Sequence, residues 1–263
     1  VRLHEVFFRE GPLCGRVWRL WAPVWRRRLA WEGRLFPALA GFCMLLLLSP
    51  YLLTNKLASL RAVTVWSPKD LFVLSDGTHL DHAIAFVDWS IFVYYTIFLF
   101  YAALPLVAPR TDLGRRDLLV TIQYVVLASW AAYLVFLLFP AEVDLREQAV
   151  DAGAQEGWLG SLYTIFHWLD RPYNSWPSLH VTQTFLAAAA MTRWWRAAGK
   201  SGKVVALWTL WAALAVSTLT TKQHFLWDAL TGLALGAATW WFGLRPALRS
   251  NRPDLNAKEA KEN

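Results

Sequence analysis

Cysteine is nearly absent from this chain: Cys14 and Cys43 are its two thiols in 263 residues. One lies in a basic N-terminal segment and the other inside an apolar run, which argues against a disulfide and leaves the redox compartment unread. No Cys/His spacing of a metal site occurs either. Internal repeats and low-complexity tracts are also missing. The first 35 residues are too long, too arginine-rich and too polar for a cleaved secretory signal. The net charge of +7 would suit a nucleic acid, but its basic residues sit in short segments between apolar runs. That pattern reads as anchoring against anionic lipid, with no nucleic-acid partner.

What the chain has in abundance is apolar surface: 56% of residues are hydrophobic and 17 are Trp. A polytopic membrane protein follows, all-α because lipid offers no partners to free backbone groups. Six apolar segments, near 37–53, 89–107, 118–139, 179–195, 204–220 and 225–244, predict six transmembrane helices. The expected organisation is a basic amphipathic interfacial helix over 1–36, a membrane domain over 37–250 and a polar cytoplasmic tail over 251–263. With the N-terminus inside, segments 1–36, 108–117, 193–203 and 245–263 hold 20 of the 26 Lys and Arg. Ten of the 19 acidic residues lie in the two long loops of the other face, 54–88 and 140–178. Both termini are therefore expected in the cytoplasm of an inner or plasma-type membrane.

This topology brings two polar stretches to one outer interface. "NSWPSLHV" (174–181) opens the fourth span, and "KQHFLWD" (222–228) opens the sixth. His224 and Asp228 are four apart and share a helix face, so the carboxylate can hold one imidazole nitrogen as N–H and leave the other free to attack. His180 can supply the acid for a leaving oxygen and then deprotonate an incoming water or alcohol. Ser178, after Pro177, stands where a helix begins, with free N–H groups that form an anion site. Lys222 adds a positive charge, and Asn174 supports the first stretch. Taken singly, Ser178 reads as a helix cap and His180 as an interfacial residue. Asp228 inside a span is harder to dismiss, because a buried carboxylate there is costly.

"PSLH" followed by H-x-x-x-D resembles the type 2 phosphatidic acid phosphatase superfamily, over about residues 118–244. That resemblance implies a six-span bundle and a phosphohistidine mechanism without cofactor or metal. It implies His224 as nucleophile, Asp228 as its orienting acid, His180 as acid/base, Ser178 as a phosphate ligand and Ser217 as the motif serine of "STLTTKQHFLWD". The departures are Leu179 for the usual glycine and Thr218 for the motif arginine, with Lys222 as a substitute cation. The superfamily's first motif, K-x6-RP, is absent as such. "FPAEVDLR" (139–146) and "DRPYNSWPSLH" (170–180) stand nearest, making Arg146 the first and Arg171 the second candidate phosphate clamp. Either arginine also reads as a plain loop residue. "YNSWPSLH" is similar to the branch containing inositol phosphorylceramide synthase, and a basic residue two before the histidine resembles sphingomyelin synthases.

Elsewhere, "SDGTHLDHAIAFVD" (75–88) carries Asp76, His79, Asp81 and His82 in no strong metal spacing and reads as a lid or loop. Residues 157–168 read as a short amphipathic helix at the outer interface, with His167 on it. Gly232 and Gly236 have the small-xxx-small spacing of close helix packing. The functional expectation is a lipid phosphatase or phosphotransferase at the extracytoplasmic face, acting on a lipid phosphate or phospholipid. The alternatives are transfer of a phospho-headgroup to an alcohol acceptor, and a non-catalytic phospholipid-binding or transport protein. The oligomeric state is left open.

Overall fold

The computed structural model describes residues 16–249. Among the described residues the chain is helical, with isolated bridges but no strands. Nine helices have seven or more residues: α1 (Leu35–Leu48), α2 (Pro50–Arg61), α3 (Ile97–Val107), α4 (Asp112–Leu138), α5 (Leu145–Asp151), α6 (Gly157–Leu169), α7 (Leu179–Ala197), α8 (Ser201–Thr220) and α9 (Leu226–Ala238). Their ends follow local chemistry. Pro50 opens α2, where its missing N–H costs nothing. The Thr111 side chain accepts the Gly114 N–H at 3.1 Å to start α4, and α4 ends immediately before Phe139 and Pro140.

Helix α7 is the axis of the bundle and packs against α9, α8, α4 and α3. Most of its side chains are buried, polar Thr182, Gln183 and Thr184 included. Its closest neighbour is α9. A Cβ on Gly232 would stand 2.5 Å from the Ser178 carbonyl oxygen, and one on Gly236 would stand 3.1 Å from the Phe185 ring. The two glycines therefore serve helix packing within the chain. Thr182 Oγ1 also donates to the Gly232 carbonyl at 2.8 Å.

Helices stand at all six expected segments. Among the described residues, four stretches are long and apolar enough to cross a membrane: Leu35–Arg61, Ser90–Val107, Asp112–Leu138 and Ser201–Thr220. Helix α7 falls short because its central place lets it carry polar side chains that no lipid meets. Helix α9 has 13 residues before Thr239–Leu244 widens into a π-helical turn. Large apolar side chains stay bare on the outside of the bundle, with Phe242 86% and Leu106 72% exposed, as a hydrocarbon surround requires.

The N-terminal segment differs from expectation. Residues 16–34 form short turns in place of one surface helix, broken by Trp31 and Glu32 at positive φ. Trp21 and Trp25 are fully buried in the main core, so their rings gain more by packing than by lying on a surface. Gln123 of α4 fastens this segment, accepting the Trp18 N–H at 2.9 Å and donating to the Arg16 carbonyl at 3.0 Å. The expected helix over 1–15 and the tail over 251–263 lie outside the described residues.

The two ends of the bundle differ in charge. At one end Arg28 and Arg115 pair with Asp112, Arg116 donates to the Ala247 carbonyl and Arg193 to that of Leu248. At the other end the starts of α7 and α9 meet the loops that carry most of the acids.

Gly232→Ala tests the close approach of α9 to α7. Helix propensity favours Ala by about 1 kcal/mol, but the new methyl meets a backbone carbonyl that no rotamer change can move. A net loss of about 1–3 kcal/mol is expected, read as a lower unfolding midpoint in detergent.

Candidate active site

The end of α8 sets the position of His224. The Thr218 carbonyl accepts the N–H groups of both Gln223 and His224 at 3.1 Å. Lys222 takes φ 59°, the left-handed position after a helix where glycine is usual. Asp228 then fixes the ring. Its Oδ2 accepts the Phe225 N–H at 2.9 Å and His224 Nδ1–H at 3.2 Å. With Nδ1 committed as a donor, His224 Nε2 is left with its lone pair. That lone pair faces His180 Nδ1 at 3.2 Å, which must therefore carry the proton. The order Asp228, His224, His180 is the one expected for an oriented nucleophile and its proton partner. His180 is held from behind by the Tyr94 ring, 4.6 Å away.

Ser178 and Asp228 join the two stretches through the backbone as well. The Ser178 N–H donates to the Asp228 carbonyl at 2.9 Å. Ser178 occupies the N-cap of α7, yet its hydroxyl makes no cap bond and is buried without a partner. The cap reading of Ser178 thus gives way to a free hydroxyl beside a helix N-terminus, an arrangement that favours an anion. Ser175 Oγ and both polar atoms of Asn174 are likewise buried and unpartnered.

Arg146 and Arg171 part company. Arg146 is buried; one terminal nitrogen donates to the Asp170 carbonyl at 2.5 Å and the other lies 3.5 Å from Asp170 Oδ2, while its Nε has no partner. The segment before it is carried to the site by a bridge between Ala141 and Asn174 and by Val143 N–H on the Pro172 carbonyl. Arg171 is exposed, and it is its backbone N–H, donating to Asn55 Oδ1 at 2.9 Å, that the fold uses.

Lys222 is engaged by the protein. Its ammonium donates to the carbonyls of Asp81 at 2.8 Å and Ile84 at 2.5 Å. Burial lowers its pKa, opposed by the Asp81 charge. Asp81 accepts the Leu226 N–H at 2.6 Å, and burial raises its carboxyl. The loop carrying Asp81 is therefore a strap locked onto the α8–α9 connection. Among the described residues no group of three or more His, Cys, Asp or Glu side chains gathers as a metal site. Ser217 lies away from the histidines, its hydroxyl donating back to the Leu214 carbonyl at 2.7 Å. Thr218 donates in the same way to Ala215.

His180 and His224 open onto a cavity of about 430 Å³ between α1, α2, α3, α4, α6 and α7. Asp170, Asn174 and Gln183 share its polar end, and the remainder is apolar or tyrosine. Its rim residues Leu45, Leu52, Phe98, Ile165 and Leu169 are about half exposed on the outside of the bundle. Helix α6 is the amphipathic segment expected over 157–168, with Trp158 and Trp168 outward and Tyr163 and Phe166 inward. Asp170, Tyr51 and Asn55 were not foreseen. Asp170 accepts from the Tyr51 hydroxyl and from Asn55 Nδ2 at 3.1 Å. A carboxylate ten residues before His180 was the one signal for it; nothing local in α2 announced its two partners.

Gln223 Nε2 donates to His167 Nε2 at 3.0 Å, linking α6 to the loop that carries His224. Burial, aided by the Arg146 charge, lowers the His167 pKa from 6.5 to about 4. On acidification the unfolded chain takes this proton near 6.5 and the folded chain near 4, so stability falls as pH drops through that window. His167→Gln is expected to flatten this acid limb in a series of unfolding midpoints from pH 7 to pH 4; an unchanged slope would refute the assignment.

Among known families, the model described as the PAP2 superfamily matches residues 71–242. No curated protein and no solved structure matches the chain.

Proposed function

The chain belongs to the PAP2 superfamily, and from that premise we propose that it is an integral membrane enzyme that breaks a phosphate ester bond of a lipid through a phosphohistidine on His224. One observation carries the reading. The lone pair of His224 Nε2, oriented by Asp228 and faced by His180, stands at the polar end of an apolar cavity whose rim opens through half-exposed Leu, Ile and Phe side chains. A lipid can enter from the bilayer with its phosphate toward the histidines and its acyl chain along the cavity.

In the first half-reaction His224 Nε2 bonds to phosphorus, and the bond from phosphorus to the leaving oxygen breaks. His180 gives that oxygen its proton. The Asp228 carboxylate balances the cationic ring that forms. Ser178 Oγ, Asn174 Nδ2 and the free N–H groups opening α7 are the donors for the phosphoryl oxygens, while Arg146, behind Asp170, adds its charge at longer range. In the second half-reaction His180 takes a proton from water, which attacks phosphorus and returns the electron pair of the P–N bond to His224. An alcohol can replace water without changing any residue's role. Thr218 in place of a motif arginine, and the commitment of Lys222 to the Asp81 strap, favour transfer of a headgroup from a phosphodiester: a site with few free cations suits a singly charged diester better than a doubly charged monoester.

We place the site at the extracytoplasmic face of a six-crossing bundle with both termini in the cytoplasm. The concentration of Lys and Arg at the end opposite the histidines supports this.

His224→Ala is expected to lower turnover about a thousandfold or more, and Asp228→Asn and His180→Ala by about 10²–10⁴. The assay is phosphorus release or transfer from a panel of lipid phosphates and phospholipids by purified protein. Turnover undiminished in His224→Ala would favour the non-catalytic alternative. For topology, single cysteines replace exposed Gln155 and Lys200 in a Cys14→Ser, Cys43→Ser background. A membrane-impermeant maleimide added to intact cells should label position 155 and spare position 200. The reverse pattern would overturn the orientation.

A further inference from the structure

The cavity wall near the histidines presents a carboxylate, which a site built only for phosphate would avoid. Asp170 lines the cavity, whereas its partner Arg146 does not and stands behind it. Asp170 Oδ1 is occupied by the Tyr51 hydroxyl and Asn55. Its Oδ2 has only the long 3.5 Å contact to Arg146 and retains acceptor capacity. Beside it on the same wall stands Asn174, 6% exposed, with neither its amide nitrogen nor its oxygen satisfied by protein. A buried amide without partners costs about 1–3 kcal/mol, and a bound ligand would remove that cost. Gln183, the other amide on this wall, differs: it accepts from Tyr101 and donates to Ser129 at 2.8 Å.

We propose that Asp170 and Asn174 form a subsite for a second hydroxyl of the alcohol that leaves or attacks phosphorus, so that the enzyme selects a polyol over a simple alcohol. The inference rests on the phosphohistidine reading above. Asp170 Oδ2 and Asn174 Oδ1 accept from the hydroxyl, while Asn174 Nδ2 remains for a phosphoryl oxygen. A hydroxyl fits better than an ammonium, because Arg146 already balances the Asp170 charge and a second cation would leave the pair over-neutralised. Transfer then closes as follows. A neighbouring hydroxyl of the polyol forms the new P–O bond, and its proton passes to His180. The P–Nε2 bond breaks, and its electron pair returns to the His224 ring. Asp170 takes no proton in this step and acts by positioning.

Glycerol serves as the probe and 1-propanol, with one hydroxyl, as its control. Two measurements on the full chain in detergent separate the inference from the reading beneath it. The first is binding, by saturation-transfer NMR, to His224→Ala. Glycerol should bind more tightly than 1-propanol, and adding Asp170→Asn should weaken glycerol about tenfold or more. Asn174→Ala is the second variant. It removes no internal side-chain hydrogen bond, so it should fold as well as its parent and still lose glycerol affinity. The second measurement is the ratio of glycerol phosphate to free phosphate formed from phosphatidate with glycerol in the medium, alongside turnover of phosphatidylglycerol, both in phosphatidylcholine vesicles. Asp170→Asn should lower that ratio about tenfold, and Asp170→Glu should restore part of it. Lipid turnover with a ratio and glycerol affinity indifferent to both substitutions would overturn the subsite and leave the phosphohistidine reading standing. Glycerol binding that depends on Asp170, without turnover of either lipid, would uphold the subsite and count against the reading. Equal binding of glycerol and 1-propanol would overturn polyol selection.

Discussion

Asp228 is the residue on which the rest of the site depends. Its carboxylate holds the first N–H of the α9 turn and the Nδ1–H of His224 through one oxygen. Its carbonyl accepts the N–H of Ser178, the residue that opens α7. A single residue thus sets the start of one helix, ties it to the start of another and fixes the ring of His224. It can reach both helices because Gly232, one turn further along α9, lets the two backbones approach more closely than any side chain would permit. The packing of α7 against α9 and the chemistry of the histidines are therefore one constraint.

A second theme is the handling of charge in a low-dielectric surround. Each buried cation near the site is taken up by the protein before any substrate arrives. Lys222 is spent on two carbonyls of the Asp81 loop, and Arg146 faces Asp170. An isolated buried charge would cost several kcal/mol, so these pairings hold the loops in place. Among the groups left without a partner are neutral donors: the hydroxyls of Ser175 and Ser178, the amide of Asn174, and the first N–H groups of α7.

Much of this was legible in the chain. Long apolar runs located the helices, because a backbone in lipid has no other way to satisfy its hydrogen bonds. The i, i+4 spacing of His224 and Asp228 predicted their contact, since it is local to one turn. The basic and acidic segments sorted themselves to opposite ends of the bundle. The amphipathic pattern over 157–168 became α6, and the two glycines of α9 became its packing face. Where expectation and structure differ, the cause is a distant partner. Trp21 and Trp25 left the surface because α1 and α4 offered them a core. Lys222 holds the loop because Asp81 and Ile84, about 140 residues earlier, arrive beside it.

The sequence by itself determined the helical, membrane-type architecture, the family signature and the identity of the three residues at the centre, because periodicity and motif spacing are properties of neighbouring positions. Which acceptor takes up each cation, which carboxylate lines the cavity and which polar groups are left wanting a partner were settled by the packing. Those outcomes depend on groups from α2, the Asp81 loop, α5 and α6 meeting at one point. Burial there forces every charge to choose a partner according to what stands within three or four ångströms, and no local pattern in the chain encodes that choice.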